Sequence, residues 1–259
     1  MPAASSTESP TTRVTVSPLA LIGGIVTAAL VALGAYAGHD TTAYAVLAAS
    51  LAFAWGWPVL LDLPRPNGSS IVLAAASVGM AGVVVFSGDT DGMQAVSVVL
   101  AIGLVLAFLH ELVRTDGRAH LTRSLAGAAL GLAVLGSGIF AAGAASYPEG
   151  DAATAIVMGA AALGLIGDLI LPARHAREWS LPAGLLLGVV LALLVGLTAG
   201  SGLGYLLLAG LAAGLVAFAI RRALGAVDPI DPAAQLAYGI GSVLITGVLA
   251  YAAQWLINY

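Results

Sequence analysis

Residues 93–113 read MQAVSVVLAIGLVLAFLHELV, and the first 17 of them, 93–109, carry no charged side chain. A helix needs about 20 mostly apolar residues to cross the roughly 30 Å hydrocarbon core of a bilayer. This stretch is therefore long enough to span a membrane. Its ionisable groups, His110 and Glu111, fall within its last four residues. The stretch predicts a transmembrane helix with one polar end.

The same pattern recurs along the chain, because apolar runs of this length alternate with short segments rich in glycine, proline or charge. We predict nine spans, at residues 18–37, 42–61, 70–86, 93–113, 125–145, 152–171, 181–198, 203–220 and 232–257. The 259 residues are 60% hydrophobic and 8% charged, whereas a soluble domain has about 25% charged residues. The sequence predicts an all-α, polytopic transmembrane helix bundle. With no cysteine, disulfides and thiolate metal sites are excluded.

The chain divides into a tail and one membrane domain. Residues 1–17 are rich in Ser, Thr and Pro and have no apolar face to bury, which predicts a disordered tail. Residues 18–259 form a single transmembrane domain. Laying residues 125–231 over residues 18–124 aligns several charged span ends, which suggests a parallel internal repeat with the helix at 232–257 left over.

Charge placement predicts the orientation. The nine cations are all arginines. One precedes the first predicted span, and the other eight follow the second, fourth, sixth or eighth span: Arg13, Arg65, Arg114, Arg118, Arg123, Arg174, Arg177, Arg221 and Arg222. They therefore share one side of the membrane, called the arginine side below. The connections on the opposite side carry five acids and no arginine or lysine: Asp40, Asp89, Asp91, Glu149 and Asp151. By the positive-inside rule, the N-terminus is predicted to be cytoplasmic and the C-terminus outside.

Aromatic residues cluster near the predicted membrane boundaries. Trp55, Trp57 and Trp179 fall near the arginine side, where we expect them to anchor helices in an interfacial belt.

Ionisable residues enter the spans only at their arginine-side ends. The candidate cluster there is His110, Glu111, Arg114, Asp116, Arg118, Asp168 and Arg174. These residues would converge on one pocket if the second, fourth and sixth helices were neighbours. Its carboxylates could then hold Mg²⁺ while its arginines bind phosphate. In the alternative interpretation, the arginines set topology and simply pair with Glu111 and Asp168. No residue is assigned as catalytic.

The middle of every predicted span lacks an ionisable group. A proton-driven carrier normally needs Asp, Glu or His near the midplane, so the pattern disfavours that mechanism while leaving facilitated transport and lipid translocation open.

Residues 108–118, Phe-Leu-His-Glu-Leu-Val-Arg-Thr-Asp-Gly-Arg, together with Gly56-Trp57-Pro58, resemble uncharacterised, permease-like multi-pass membrane proteins of actinobacteria. The resemblance covers the second to fifth helices and implies a bacterial plasma membrane.

Residues 164–169, Gly-Leu-Ile-Gly-Asp-Leu, are similar to the opening of the cytoplasmic site of phosphatidate cytidylyltransferases. That resemblance implies a membrane-embedded lipid-headgroup enzyme using Mg²⁺. The continuation departs from the family, since Pro172, Arg174, His175 and Arg177 stand where it has Ser, Lys-Arg and a Lys-Asp-Ser-Gly segment.

Three hypotheses remain at this point. The first is a non-enzymatic, permease-like protein that handles lipids or envelope precursors and needs no cofactor. The second is the cytidylyltransferase-like enzyme, for which Mg²⁺ would be the cofactor. The third is a scaffold subunit of a membrane complex. The expected surroundings are a lipid bilayer, a lipid or small-molecule substrate and possible membrane-protein partners, with no nucleic acid.

Overall fold

A computed structural model of the chain describes residues 17–87, 89–113, 120–170, 173–199, 203–225, 227 and 229–258, with the side chains at 89–91, 173–178, 198–199 and 257–258 outside this description. The predicted tail, residues 1–17, falls outside it except for Ser17. The described residues form ten α-helices: α1 (Pro18–Ala37), α2 (His39–Leu60), α3 (Pro66–Ser87), α4 (Asp89–Val113), α5 (Leu121–Ala144), α6 (Gly150–Ile170), α7 (Ala173–Ala199), α8 (Leu203–Leu224), α9 (Pro232–Leu244) and α10 (Gly247–Asn258).

The predicted fold class is confirmed. The described residues contain nine helical segments that are long and apolar enough to cross a membrane, and α9 and α10 together supply the ninth, Pro232–Leu256. The orientation of the termini and the internal repeat stay predictions.

The fifth and ninth spans form the centre of the bundle. In each, 67% of the most apolar window is buried, against 22% in α4. The α9 helix packs against α1 and α2, and α10 packs against α5 and α6. Most of the α4 surface is left facing outward, which is the surface expected to contact lipid.

Glycines let these helices approach backbone to backbone. A Cβ at Gly56 of α2 would overlap the carbonyl oxygen of Ala233, and one at Gly239 of α9 would overlap that of Ala20. Small residues at helix contacts are typical of membrane bundles, where van der Waals packing drives association. The two glycines therefore fix the spacing of α1, α2 and α9.

The ninth span predicted at 232–257 is confirmed as a segment able to cross a membrane, but its prediction as one continuous helix is wrong. The helix is interrupted at Ile245 and Thr246, near the middle of the 25-residue span. Thr246 N–H donates to Val243 O at 3.0 Å, and Leu249 N–H donates to Thr246 O at 2.9 Å. Both bonds join residues three apart, the tighter turn of a 3₁₀-helix.

Trp57 is also not an interfacial anchor. Its side chain is fully buried, its ring lies 4.8 Å from that of Phe53, and its Nε1 donates to Gly127 O at 2.9 Å. Gly131 of α5 provides the space, because a Cβ there would lie 2.8 Å from the same nitrogen. Trp55 and Trp179 are exposed, as an interfacial position requires.

Candidate functional site

Of the seven residues of the predicted cluster, the structure describes the side chains of His110, Glu111 and Asp168, and it does not bring these three into one pocket. His110 and Glu111 lie at the end of α4, which packs against α3 and α5. Asp168 lies at the end of α6, which packs against α1, α7, α8 and α10. Within the described residues, α2, α4 and α6 form no interface with one another. Arg114, Asp116 and Arg118 fall outside the described residues, as does the side chain of Arg174.

Asp168 forms a buried ion pair that links α6 to α8. Arg221 Nε donates to Asp168 Oδ2 at 2.8 Å, and the two side chains are 3% and 19% exposed. A charge taken out of water is costly unless an opposite charge and hydrogen bonds compensate it. Each charge of this pair therefore depends on the other.

The guanidinium of Arg221 lies along one face of α6. A Cβ at Gly164, one helical turn before Asp168, would lie 2.6 Å from Arg221 Nη2, so the glycine makes room for the side chain. Tyr238 of α9 donates its hydroxyl to the Arg221 carbonyl at 3.2 Å. The pair therefore joins three helices at the arginine side, with Arg221 Nη2 buried and unpaired.

A second polar cluster joins α3, α4 and α5. Glu111 is 3% exposed, and Ser124 Oγ donates to its Oε1 at 2.5 Å. Ser69 and His110 reach the same place, where the four side chains line a small enclosed cavity of about 10 Å³. His110 Nε2 is buried there without a hydrogen-bond partner.

A third feature, at membrane depth, was not predicted from the sequence. Ser137 of α5 supports the break of the last span, since its Oγ donates to Ile245 O at 2.6 Å and accepts from Val248 N–H at 3.2 Å. Gly247 brings the backbones together, because a Cβ there would overlap Ser137 O. One hydroxyl thus satisfies two backbone groups that the break releases.

An open cleft of about 450 Å³ lies directly against this break. It is lined by Leu100, Ala133, Gly136, Ser137, Phe140, Val216, Ile245 and Val248. Ser137 supplies the single polar side chain of this lining, and its hydroxyl is used in the two bonds to the break. The wall that faces a ligand is therefore hydrocarbon.

The cleft belongs to the membrane-spanning part of the molecule. Its lining comes from α4, α5, α8 and the broken last span, each within a segment able to cross a bilayer. Irregular backbone at membrane depth is tolerated where it is buried in protein or lines a cavity. One side of the break is buried against Ser137 of α5. Its other side lines the cleft.

We expect Ser137→Ala to lower the free energy of unfolding by about 1–3 kcal/mol, because it leaves the Ile245 carbonyl and the Val248 N–H unpaired in an apolar environment. Ser97→Ala is the matched control. Ser97 is exposed and bonds only within its own helix, to Gln94 O, so its loss should cost less than about 0.5 kcal/mol. Denaturant titration in mild detergent measures both, and equal effects would contradict the bridging role of Ser137.

Sequence reasoning missed two of the residues that matter most here. Arg221 was assigned only a role in topology, although its neighbour Arg222 is exposed while Arg221 is buried. The two arginines differ by 100° around α8. A helical projection places Arg221 on the same face as Leu206, Ala213 and Ala217, which are spaced seven and four residues apart, and so predicts that Arg221 is buried. Ser137 stands between two glycines at a buried position of α5, a pattern that indicates close contact with another backbone.

The remaining ionisable groups do not suggest a metal centre. Among the described residues, no three or more His, Cys, Asp or Glu side chains are grouped to hold a metal ion. Asp62, at the end of α2, instead pairs with Arg123 at 3.4 Å in a largely exposed position.

Comparison with known proteins gives no relative. No protein-family model, no curated protein and no solved structure matches the chain.

Proposed function

We propose that the chain is a permease-like protein of the bacterial plasma membrane that handles a lipid or lipid-linked envelope precursor. The single observation that carries this proposal is the broken last span beside an apolar cleft. In transporters, discontinuous helices near the midplane form substrate sites.

The chemistry of the cleft favours a hydrocarbon chain as its occupant. A volume of about 450 Å³ lies within the roughly 300–1,000 Å³ of pockets that bind small molecules. The lining offers no free hydrogen-bonding side chain, so a polar solute would lose its hydration without compensation. A lipid chain that enters from the bilayer has no hydration to lose.

The enzyme hypothesis receives less support from the same geometry. It requires Glu111 and Asp168 to share a metal, yet they lie on helices that form no interface in the described part of the chain. Asp168 Oδ2 is also occupied by Arg221.

The test is lipid movement between leaflets in proteoliposomes, followed with a fluorescent phospholipid and a quencher that cannot cross the membrane. The wild-type protein should accelerate exchange over protein-free liposomes. Ala133→Leu places a larger side chain in the cleft, where Ala133 is exposed. We expect it to slow exchange at least about tenfold, equivalent to about 1.4 kcal/mol.

Ala29→Leu on α1 is the matched control, because Ala29 is also exposed but does not line the cleft. It should exchange lipid at the wild-type rate. A wild-type rate equal to that of empty liposomes, or equal slowing by both variants, would contradict the proposal.

A further inference from the structure

We propose that the cleft holds an acyl chain of a phospholipid from the arginine-side leaflet, with the phosphate group of that lipid bound at Arg123. This proposal rests on the lipid-handling function and adds to it the class of lipid, the leaflet that supplies it and its direction in the bundle. An exposed face of α5 and the charges at the two ends of the bundle carry it.

The exposed face of α5 leads from the cleft to the arginine side. Ala133 lines the cleft, Leu130 and Ala126 precede it on the helix, and all three residues are exposed. They lie three and four residues apart, so they share one face of the helix. The face ends at Thr122 and Arg123, which are four and three residues before Ala126 and are also exposed. Lipid can therefore contact α5 continuously from the cleft to Arg123.

The length of this face matches the depth of one leaflet. Arg123 precedes Ala133 by ten residues, which corresponds to about 15 Å along a helix. The hydrocarbon core is roughly 30 Å thick, so one leaflet contributes about 15 Å of it. A phospholipid with its phosphate at Arg123 therefore has a chain long enough to reach the cleft.

A second exposed face leads from the cleft toward the opposite side. Val248 lines the cleft, and Ala252 and Trp255 follow it on α10, four and three residues further on, in exposed positions. Charge distinguishes the two directions. The connections at the α10 end carry five acids and no arginine or lysine, whereas the sequence places all nine arginines at the other end. A phosphate group is therefore repelled at the α10 end and attracted at the arginine side.

Arg123 has donor groups to offer a phosphate. Its Nη2 donates to Leu61 O at 2.8 Å and lies 3.4 Å from Asp62 Oδ2, so both contacts use the same nitrogen. The side chains of the ion pair are 52% and 88% exposed, and exposed pairs contribute little to stability. Since a guanidinium has five N–H donors, Nε and Nη1 lie outside these contacts and can form parallel bonds to a phosphate.

The experiment uses the full-length protein in proteoliposomes and two photoreactive phospholipids. One lipid carries its photoreactive group at the end of an acyl chain, and the other carries it next to the chain carbonyl. We expect the first to label the cleft residues Ala133 and Val216, and the second to label Ala126 on the exposed face of α5. Labelling of Ala252 and Trp255 by the second lipid in place of Ala126 would overturn the proposal, because the headgroup would then lie on the opposite side.

Arg123→Gln should reduce labelling of the cleft by the first lipid about threefold, as expected for the loss of one exposed charge contact. Arg123→Lys keeps the charge and should keep most of the labelling. Arg222→Gln is the matched control, because Arg222 is also exposed and at the same end but lies about 120° around α8 from Val216, which lines the cleft. It should be labelled like the wild type.

Equal labelling of the cleft in Arg123→Gln and in the wild type would overturn the phosphate contact and the proposal with it. That result would leave lipid exchange and the effect of Ala133→Leu in place. If neither lipid labelled the cleft of the wild-type protein, the lipid-handling function would be contradicted as well, which distinguishes the two failures.

Discussion

Replacing Asp168 by leucine is expected to lower the free energy of unfolding by about 3–5 kcal/mol, because it leaves the Arg221 guanidinium buried without a counter-charge. Arg221 is 3% exposed and its Nε bonds to Asp168 at 2.8 Å. Its Nη1 donates to the neutral Ala161 carbonyl at 3.5 Å and its Nη2 lacks a hydrogen-bond partner, so the Asp168 carboxylate supplies the counter-charge among these contacts. Denaturant titration of the purified protein measures the change.

Two further variants make this result specific. Asp62→Leu breaks the exposed pair with Arg123, whose side chains are 88% and 52% exposed, and should cost less than about 1 kcal/mol. Combining Asp168→Leu with Arg221→Leu removes both buried charges and should recover most of the lost stability, since a buried pair often contributes little beyond neutralising itself. A double variant as unstable as Asp168→Leu alone would contradict this account.

Gly239→Ala is expected to lower the free energy of unfolding by about 3 kcal/mol or more, at the upper end of the range for overpacked cores. The new methyl group would overlap the Ala20 carbonyl oxygen. A backbone atom cannot turn away as a side chain can, so α1 and α9 would have to separate. Thermal unfolding of the detergent-solubilised protein measures this loss.

Gly82→Ala provides a control of opposite sign. Gly82 lies inside α3, and a Cβ there has no atom within 4 Å. Alanine is favoured over glycine within a helix by about 0.5–1 kcal/mol, so this variant should be as stable as the wild type or slightly more so. Similar losses in both variants would show that Gly239 does not mark a backbone contact.

The number and placement of the spans could be predicted because each segment must by itself be long and apolar enough to cross the hydrocarbon core. The stretch that includes His110 and Glu111 was expected to be a helix, and it lies within α4. Both carboxylates, Glu111 and Asp168, were expected to press into the span ends, and both are largely buried there. Such predictions depend only on the free-energy cost of placing a charged side chain in the hydrocarbon core, which can be judged from each segment alone.

Features that depend on which helices touch could not be predicted in the same way. The break at Ile245 is supported by Ser137, 108 residues earlier, whose hydroxyl donates to the Ile245 carbonyl. Trp57 is buried because Gly127 and Gly131 of α5 accept its ring and its hydrogen bond. Hydropathy does not indicate that α5 is the neighbour in both cases, since the other predicted spans are also apolar.

Photo-crosslinking tests the lipid-binding claim most directly. The wild-type protein is reconstituted with a phospholipid that carries a photoreactive group midway along one acyl chain, and the labelled peptides are identified by mass spectrometry. We predict preferred labelling of cleft residues Ala133, Val216 and Val248, lost in Ala133→Leu and kept in Ala29→Leu. Labelling spread evenly over the exposed faces of the bundle, and unchanged in Ala133→Leu, would contradict a lipid site at the break of the last span.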